Sequence, residues 1–262
     1  MKRKPVSFRP EEFPEELHGL LYRCRLYDSS CSPEARVWFL EGSEPVFLKT
    51  AAAGSLKNEA AMTGYFHGKG LGAEVLRYIS GEQDWLLTRA VPGEDCTFSR
   101  YREDPKRLCD TTASLLRQLH DLDFQDCPVQ NRCDSYLTAV HSNRLAGFCD
   151  LRLFPEEGWG FSSSGEAWRF VEEREKYLKN DTLLHGDYCL PNIMLDNWNF
   201  SGFIDVGRGG VGDRHIDLFW GVWTLYFNLK TNEFYDRFLD VYGRDRVEPE
   251  LLRLIAACEV FG

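Results

Sequence analysis

The chain has 262 residues, 43% of them hydrophobic, with 22 glycines and 11 prolines, the composition of a globular protein long enough for two lobes and a sizeable core. Its formal net charge of −10 argues against nucleic acid as a partner, because phosphate backbones need clustered Lys and Arg; it suits a small cationic substrate or, more blandly, a solvated surface. Nine cysteines without a CxxC pair disfavour a disulfide framework or a zinc site, the basic start MKRKPVSFRPEEF leads into no apolar leader segment, and no stretch reaches the roughly 18 apolar residues of a membrane span, so the expectation is a cytoplasmic protein with reduced thiols.

The first ninety residues read mainly as strands. ARVWFLEG alternates and meets EPVFLKT across a Gly42-Ser43 turn, which predicts a hairpin. SLKNEAAMTGYFHGKG follows as a helix, with Ser55 as its N-cap and Gly68 and Gly70 as its stop. AEVLRYIS and DWLLTRAV then give two strands about a Gly81 turn. After Pro92-Gly93 the character changes. Asp104 and Pro105 cap and start a helix with Leu108, Thr112, Leu115, Leu119 and Leu122 at helical spacing. Helices continue through SYLTAVHSNRLAGF, GEAWRFVEEREKYL, IDLFWGVWTLYF, NEFYDRFLDVYG and EPELLRLIAACEVF. The expected fold is α+β: a small N-terminal antiparallel sheet with one helix over residues 1–91, a linker at about 89–93, and a larger, mostly helical C-terminal lobe over 92–262. The cleft between lobes is the natural ligand site.

One stretch interrupts the helices. LLHGDYCLPNIMLDNWNFSGFIDVG, residues 183–207, sets Asp187, Asn192 and Asp205 among apolar residues. Ile193–Leu195 and Phe200–Ile204 read as two strands, and a turn centred on Trp198 and Asn199 would set Asn192 directly opposite Asp205. A carboxylate and an amide oxygen so placed suit Mg²⁺, which takes its other ligands from water and phosphates. Asp187, in the preceding loop, is positioned to accept a hydrogen bond from an incoming hydroxyl. Taken singly these residues could be a turn former, an edge amide and a helix-cap acid; their joint spacing points to phosphoryl transfer, which needs positioning and charge neutralisation. Lys49 in the strand VFLKT and Glu59 on the helical face of Met62 and Phe66 are candidate partners, since a carboxylate on an apolar face needs a counter-charge. DSSCSPEA supplies small residues and hydroxyls whose backbone N–H groups suit a phosphate. GKGLG lacks the Walker spacing and reads as a helix C-cap.

His185-Gly186-Asp187 with Asn192, then GFIDVGRGGVGDRHIDLF, LRQLHDLDFQDCP and DSYL, resemble the aminoglycoside phosphotransferases, relatives of protein kinases, and most of all their 3′-phosphotransferase branch. The resemblance implies a bilobal, protein-kinase-like fold and transfer of the γ-phosphoryl of ATP, or another nucleoside triphosphate, to an aminoglycoside hydroxyl, which confers antibiotic resistance. It implies that Asp187 orients the hydroxyl or acts as general base, that Asn192 and Asp205 hold Mg²⁺, and that His185 and Asp217 brace the loop. On the nucleotide side it implies a Lys49–Glu59 pair aimed at the α- and β-phosphates, Ser32 in the phosphate turn, Phe47 above the adenine, and backbone groups of Arg89 to Val91 at the base edge. On the acceptor side it implies Arg208, Glu259 and Phe261, with Glu157 among the acids of a helical insertion that also offers Asp150 and Glu156. Two departures stand out: Gly262 follows the matching Phe261, and Phe227 and Asn228 occupy positions where typical members carry acids. The rivals are a kinase of the same fold acting on a macrolide, an amino alcohol or a sugar, and an idle nucleotide-binding module. Neither a membrane nor an obligate protein partner is evident.

Overall fold

Residues 4–7, 9–31, 33–151 and 159–262 are described by a computed structural model. They divide into two compact units, Met1–Gly93 with Ser201–Gly207, and Glu94–Phe200 with Arg208–Gly262.

In the first unit β1 (Lys4–Val6), α1 (Glu15–Leu21), β2 (Arg25–Asp28), β3 (Arg36–Glu41), β4 (Val46–Ala52), α2 (Lys57–Gly68), β5 (Val75–Ser80) and β6 (Gln83–Arg89) follow in chain order. The strands form one antiparallel sheet in the order β1-β2-β3-β4-β6-β5. The expected β3–β4 hairpin pairs Trp38 with Leu48 and Leu40 with Val46. Because side chains alternate along a strand, these four share one face with Leu87 and Trp85, and Phe13, Leu17 and Leu21 close over it. Phe13 lies 5.0 Å from the Trp38 ring and 5.6 Å from Trp85. The segment carrying Phe13 and α1 gave no readable pattern: α1 is two turns long and starts at Pro14 without a side-chain cap, too short for a periodicity to register.

The α2 start departs from expectation. Ser55 does not cap it; its hydroxyl turns back to the Ala52 carbonyl, 2.6 Å away. The buried Asp84 takes the task from across the sheet, accepting from Leu56 N–H at 2.9 Å, Tyr78 at 2.8 Å and Ser80 at 2.7 Å. At the other end Gly70 has φ +72, with its N–H on His67 O and the Leu71 N–H on Phe66 O. That is a left-handed cap of the expected kind. Residues 201–207 rejoin this unit through the Phe203 N–H, which donates to Leu71 O at 2.7 Å, and through the Phe203 ring 6.1 Å from Phe66. A strand edge meeting a helix cap from far along the chain leaves no local trace.

The second unit holds β7 (Glu94–Asp95), α3 (Ser99–Arg102), α4 (Pro105–His120), α5 (Arg132–Leu145), α6 (Ser164–Arg174), β8 (Thr182–Leu184), β9 (Ile193–Asp196), β10 (Asn199–Phe203, whose end counts with the first unit), β11 (Gly210–Gly212), α7 (His215–Leu229), α8 (Tyr235–Tyr242) and α9 (Pro249–Glu259). Asp104 caps α4 by accepting from the Arg107 N–H at 3.2 Å, with Pro105 opening the first turn as the sequence leads one to expect. α4 packs on α7 and α8, and α9 on α6 and α7. β8 pairs with β11 and β9 with β7, so the loops between β8, β9 and β11 are carried on buried strands.

Candidate active site

In the first unit the pleat of β4 buries Val46, Leu48 and Thr50 and turns Phe47, Lys49 and Ala51 to the opposite face. Lys49 Nζ lies 2.9 and 2.7 Å from the two Glu59 oxygens and 3.0 Å from Asp205 Oδ1. Glu59 is carried on the α2 face whose Met62 and Phe66 are fully buried, so the acid is aimed by apolar packing three and seven residues further on. Asp205 adopts the left-handed φ of +58, a conformation costing roughly 1–2 kcal/mol outside glycine. The chain then passes so close to α2 that a Cβ on Gly207 would stand 3.2 Å from Glu59 Cβ. Burial alone would lower the Lys49 pKa, but Asp205 and Glu59 outweigh it and raise it, so the ammonium is held charged. Burial pushes Glu59 up as well, Lys49 opposing and Asp205 adding to the rise; two acids share one cation. Phe47 packs 5.2 Å from Phe39 on this same face. At the strand end the Arg89 guanidinium pairs with Glu44 at 2.7 Å and Glu74 at 2.8 Å. The Arg89 N–H donates to Glu74 O and the Ala90 N–H to Pro45 O, so those two N–H groups of the segment expected at the base edge are engaged within the first unit. Val91 packs on Gly202. Ser32 lies outside the described residues.

In the second unit the loop after β8 is pinned from beneath. The buried Asp217 accepts the His185 N–H at 2.7 Å and the Gly186 N–H at 2.8 Å, one on each oxygen. Its Oδ2 also faces His120 Nε2 at 3.2 Å, whose Nδ1 meets the Tyr242 hydroxyl at 2.8 Å. Burial lowers the His120 pKa despite Asp217, so a neutral ring donates to the acid and accepts from Tyr242. Gly186 has φ +84, and a Cβ there would fall 1.8 Å from Arg208 O; both facts demand glycine. Asp187 follows, its N–H on His185 Nδ1 at 3.2 Å. Asn192 Nδ2 donates to Asp187 O at 3.0 Å and Oδ2 at 3.1 Å, which leaves the Asn192 amide oxygen pointing away from the acid. The far side of the loop hangs on the Thr224 hydroxyl, which accepts the Leu190 N–H at 3.1 Å.

The turn between β9 and β10 corrects the sequence reading. It consists of Asn197 and Trp198, both at positive φ, between Asp196 and Asn199, the primed two-residue hairpin. It therefore sits one residue earlier than expected. Asn192 closes a short 3-10 turn and Asp205 follows the end of β10, so neither is a ladder position and they are not cross-strand partners in the sense expected. Trp198 tolerates its φ of +70 because its ring is clasped by Tyr101 at 4.9 Å and the Arg107 guanidinium at 4.3 Å. Composition could not reveal this; an Asn-Trp pair is not a usual primed turn.

Of the acceptor-side candidates, Glu259 is buried and accepts from the Tyr136 hydroxyl at 2.8 Å. Burial raises its pKa to about 7, against the Tyr136 and Trp220 donors and the nearby Arg208, and with Asp187 adding to the rise. Arg208 is exposed, and its carbonyl accepts from Arg132 Nε at 2.6 Å. The Phe261 ring is wholly buried, edge-on to Trp168 at 5.5 Å and under the Arg144 guanidinium, so it is engaged in interior packing. Asp150 uses its N–H to pin Val260 O at 2.8 Å. Glu156 and Glu157 lie outside the described residues. The sequence by itself does not single out His120, Tyr136, Trp220 or Thr224. His120 and Tyr136 stand inside the quoted segments LRQLHDLDFQDCP and DSYL, which was the available signal, whereas Trp220 and Thr224 read only as helix residues.

A lysine–glutamate pair on an antiparallel sheet, and an Asp-bearing loop pinned by a buried acid beneath helices, belong to the kinase-like class of phosphotransferases. The chain is a member of the phosphotransferase enzyme family, whose model matches residues 32–253. It is 47% identical over 260 residues, 99% of this chain and 98% of the other, to a protein of Lactococcus lactis subsp. lactis (strain IL1403) named "Probable aminoglycoside 3'-phosphotransferase". It is 31% identical over 220 residues, 80% of this chain and 81% of the other, to an aminoglycoside 3′-phosphotransferase of Streptomyces fradiae. A crystal structure of an aminoglycoside-3′-phosphotransferase of type VIII superposes with a TM-score of 0.73 at 29% identity, covering 94% of this chain and 97% of that one. The fold expected from the sequence is the fold found. Among the described residues no helix is long and apolar enough to cross a membrane.

Proposed function

We propose that the chain transfers the γ-phosphoryl group of ATP to a hydroxyl of an aminoglycoside. The observation that carries this reading is the Asp187 loop, whose His185, Gly186 and Leu190 N–H groups are held by the buried Asp217 and Thr224 while the Asp187 carboxylate stands half-exposed. The acceptor oxygen forms a bond to the γ-phosphorus, the bond from that phosphorus to the bridging oxygen breaks, ADP departs, and the hydroxyl proton passes to Asp187. Asn192 supports this by donating to Asp187 Oδ2, which fixes the carboxylate's orientation. Lys49, held by Glu59, steers the α- and β-phosphates, and Phe47 and the backbone at Val91 flank the base.

Asp205 and the amide oxygen of Asn192 would hold Mg²⁺. They fit: both are hard oxygen donors, Asn192 has its nitrogen committed to Asp187, and Asp205 is half-exposed. The ion supplies neutralisation of the phosphate charge when bound.

The relatives' names support an aminoglycoside as acceptor, and the protein would confer resistance by placing a dianion on a ligand that needs positive charge. Coupled ADP release with ATP, Mg²⁺ and kanamycin or neomycin tests the reading. Turnover is expected with wild type and should fall by about 10²–10⁴ in Asp187→Ala with nucleotide binding retained. Release with a macrolide or simple sugar alone would move the acceptor to another alcohol. Nucleotide binding without turnover on any acceptor would mark an idle module.

A further inference from the structure

α7 presents to solvent a face unlike that of a site built for ammonium groups. From Leu218 to Lys230 the sequence LFWGVWTLYFNLK contains no carboxylate. Its outward residues are aromatic and mutually packed. The Trp220 and Trp223 rings lie 5.3 Å apart edge to face, and Trp223 and Phe227 stack at 4.9 Å with 13° between planes. Trp220 and Trp223 are half-buried and Phe227 is 49% exposed. The spacing 220, 223, 227 is that of one helical stripe, so the three rings form a ledge about two turns long. Lys230, left-handed at φ +59 beyond the helix end, places Nζ 4.2 Å over the Phe227 ring. That end of the ledge thus carries the chain's own ammonium in a cation–π contact.

Two chains of contact tie this ledge to the reacting loop. At its near end Trp220 acts on the Glu259 carboxyl, opposing the rise that burial causes, and Asp187 and Arg208 act on the same carboxyl. In the middle, Thr224 Oγ1 accepts the Leu190 N–H at 3.1 Å and takes Asn228 Nδ2 at 3.2 Å, while the half-buried Cys189 beside it interacts with both Thr224 and Asp187. The helix that hangs the Asp187 loop therefore carries the aromatic stripe on its outer side.

We propose that Trp223 and Phe227, extended by Trp220, are specificity-determining residues that receive the acceptor through a neutral sugar ring, its C–H face laid on the ledge and its hydroxyl edge free to reach Asp187. The inference deepens the phosphotransferase reading and rests on it. Aromatic faces hold the apolar face of a pyranose by dispersion and burial without needing charge. An ammonium placed there would meet no carboxylate from residues 218–230 of α7 and would face Lys230. The chain accordingly favours acceptors that turn a hydroxylated, amine-poor ring toward α7 and keep their amines elsewhere, near Glu259 among others.

The test is steady-state kinetics on Trp223→Ala, Trp223→Phe and Phe227→Glu with kanamycin and the more heavily aminated neomycin, nucleotide KM serving as the control for folding. Trp223→Ala should raise acceptor KM by roughly tenfold, the upper end of one aromatic contact, with kcat and nucleotide KM nearly unchanged. Trp223→Phe should restore the wild-type value. Phe227→Glu should lower KM for neomycin more than for kanamycin. Acceptor KM in Trp223→Ala within about twofold of wild type would overturn the ledge, and so would an equal rise in nucleotide KM, which marks mere structural damage. Should wild type turn over neither aminoglycoside, the phosphotransferase reading falls and the ledge falls with it; an active wild type indifferent to Trp223 sinks the ledge alone.

Discussion

Glu259 shows how a single buried side chain ties stability to pH. Its carboxyl is buried, and burial lifts its pKa from the usual value near 4.5 to about 7. The folded protein thus keeps a proton that the unfolded chain gives up as pH rises above the unperturbed value. Stability must fall over that interval and level off above about pH 7, by about 3 kcal/mol in all. Glu259→Gln keeps an oxygen for the Tyr136 hydroxyl and removes the titration. It should melt like wild type at pH 5 and at higher temperature than wild type at pH 8. A melting difference that does not grow with pH would show that this carboxyl is hydrated after all. Gly186 makes the complementary point, that a residue without a side chain can be as constrained as one with a function, since the Arg208 carbonyl occupies the place of its Cβ.

At the scale of the element, α2 is positioned by a residue that is not its neighbour in sequence. Asp84, on β6, gathers donors from the α2 start and from β5. Burial would raise its pKa, yet the hydrogen bonds from Gly54, Ser80, Leu56 and Tyr78 prevail and bring it down to about 2. The sign is that of a depressed acid: its contribution is complete above the unperturbed value of 3.8 and is lost as pH falls toward 2. Asp84→Asn forfeits charge-assisted acceptors and should cost about 3 kcal/mol. Because α2 carries Glu59, the same substitution should weaken nucleotide affinity. Chemical denaturation at pH 7 and a nucleotide titration check both; unchanged stability would return the capping task to Ser55 or its neighbours. The pairing Lys49–Glu59 itself was legible, because a carboxylate on the Met62–Phe66 face has to be answered by a cation. That Asp205 joins it at 3.0 Å was not. The left-handed φ that aims Asp205 depends on how residues 201–207 rejoin the first unit.

For the whole molecule, net charge and local contact act at different ranges. A formal charge of −10 attracts polycations over distances set by salt, with a Debye length of about 30 Å at 0.01 M and about 10 Å at 0.1 M. Over that interval of ionic strength kcat/KM for neomycin should fall several-fold, while kcat/KM for the anionic nucleotide should not fall with it. Equal salt dependence for both substrates would mean the acidic surface plays no part in drawing in the acceptor. The ledge on α7 works at contact range and should be indifferent to salt.

By itself the sequence determined the broad architecture, the α4 cap at Asp104, the hairpin of β3 and β4, and the chemical types at Lys49, Glu59, Asp187, Asn192 and Asp205. Those features rest on periodicity, on turn chemistry and on the cost of burying an acid without a partner, all of which are local or pairwise. What only the tertiary structure decided was the Asn197-Trp198 turn held by Tyr101 and Arg107, the cap supplied by Asp84, the packing of Phe261 on Trp168, and the hydrogen bond from the Leu190 N–H to Thr224 that joins α7 to the Asp187 loop. Each of these depends on groups far apart in the chain meeting at van der Waals or hydrogen-bond distance, and one-dimensional spacing carries no record of such meetings.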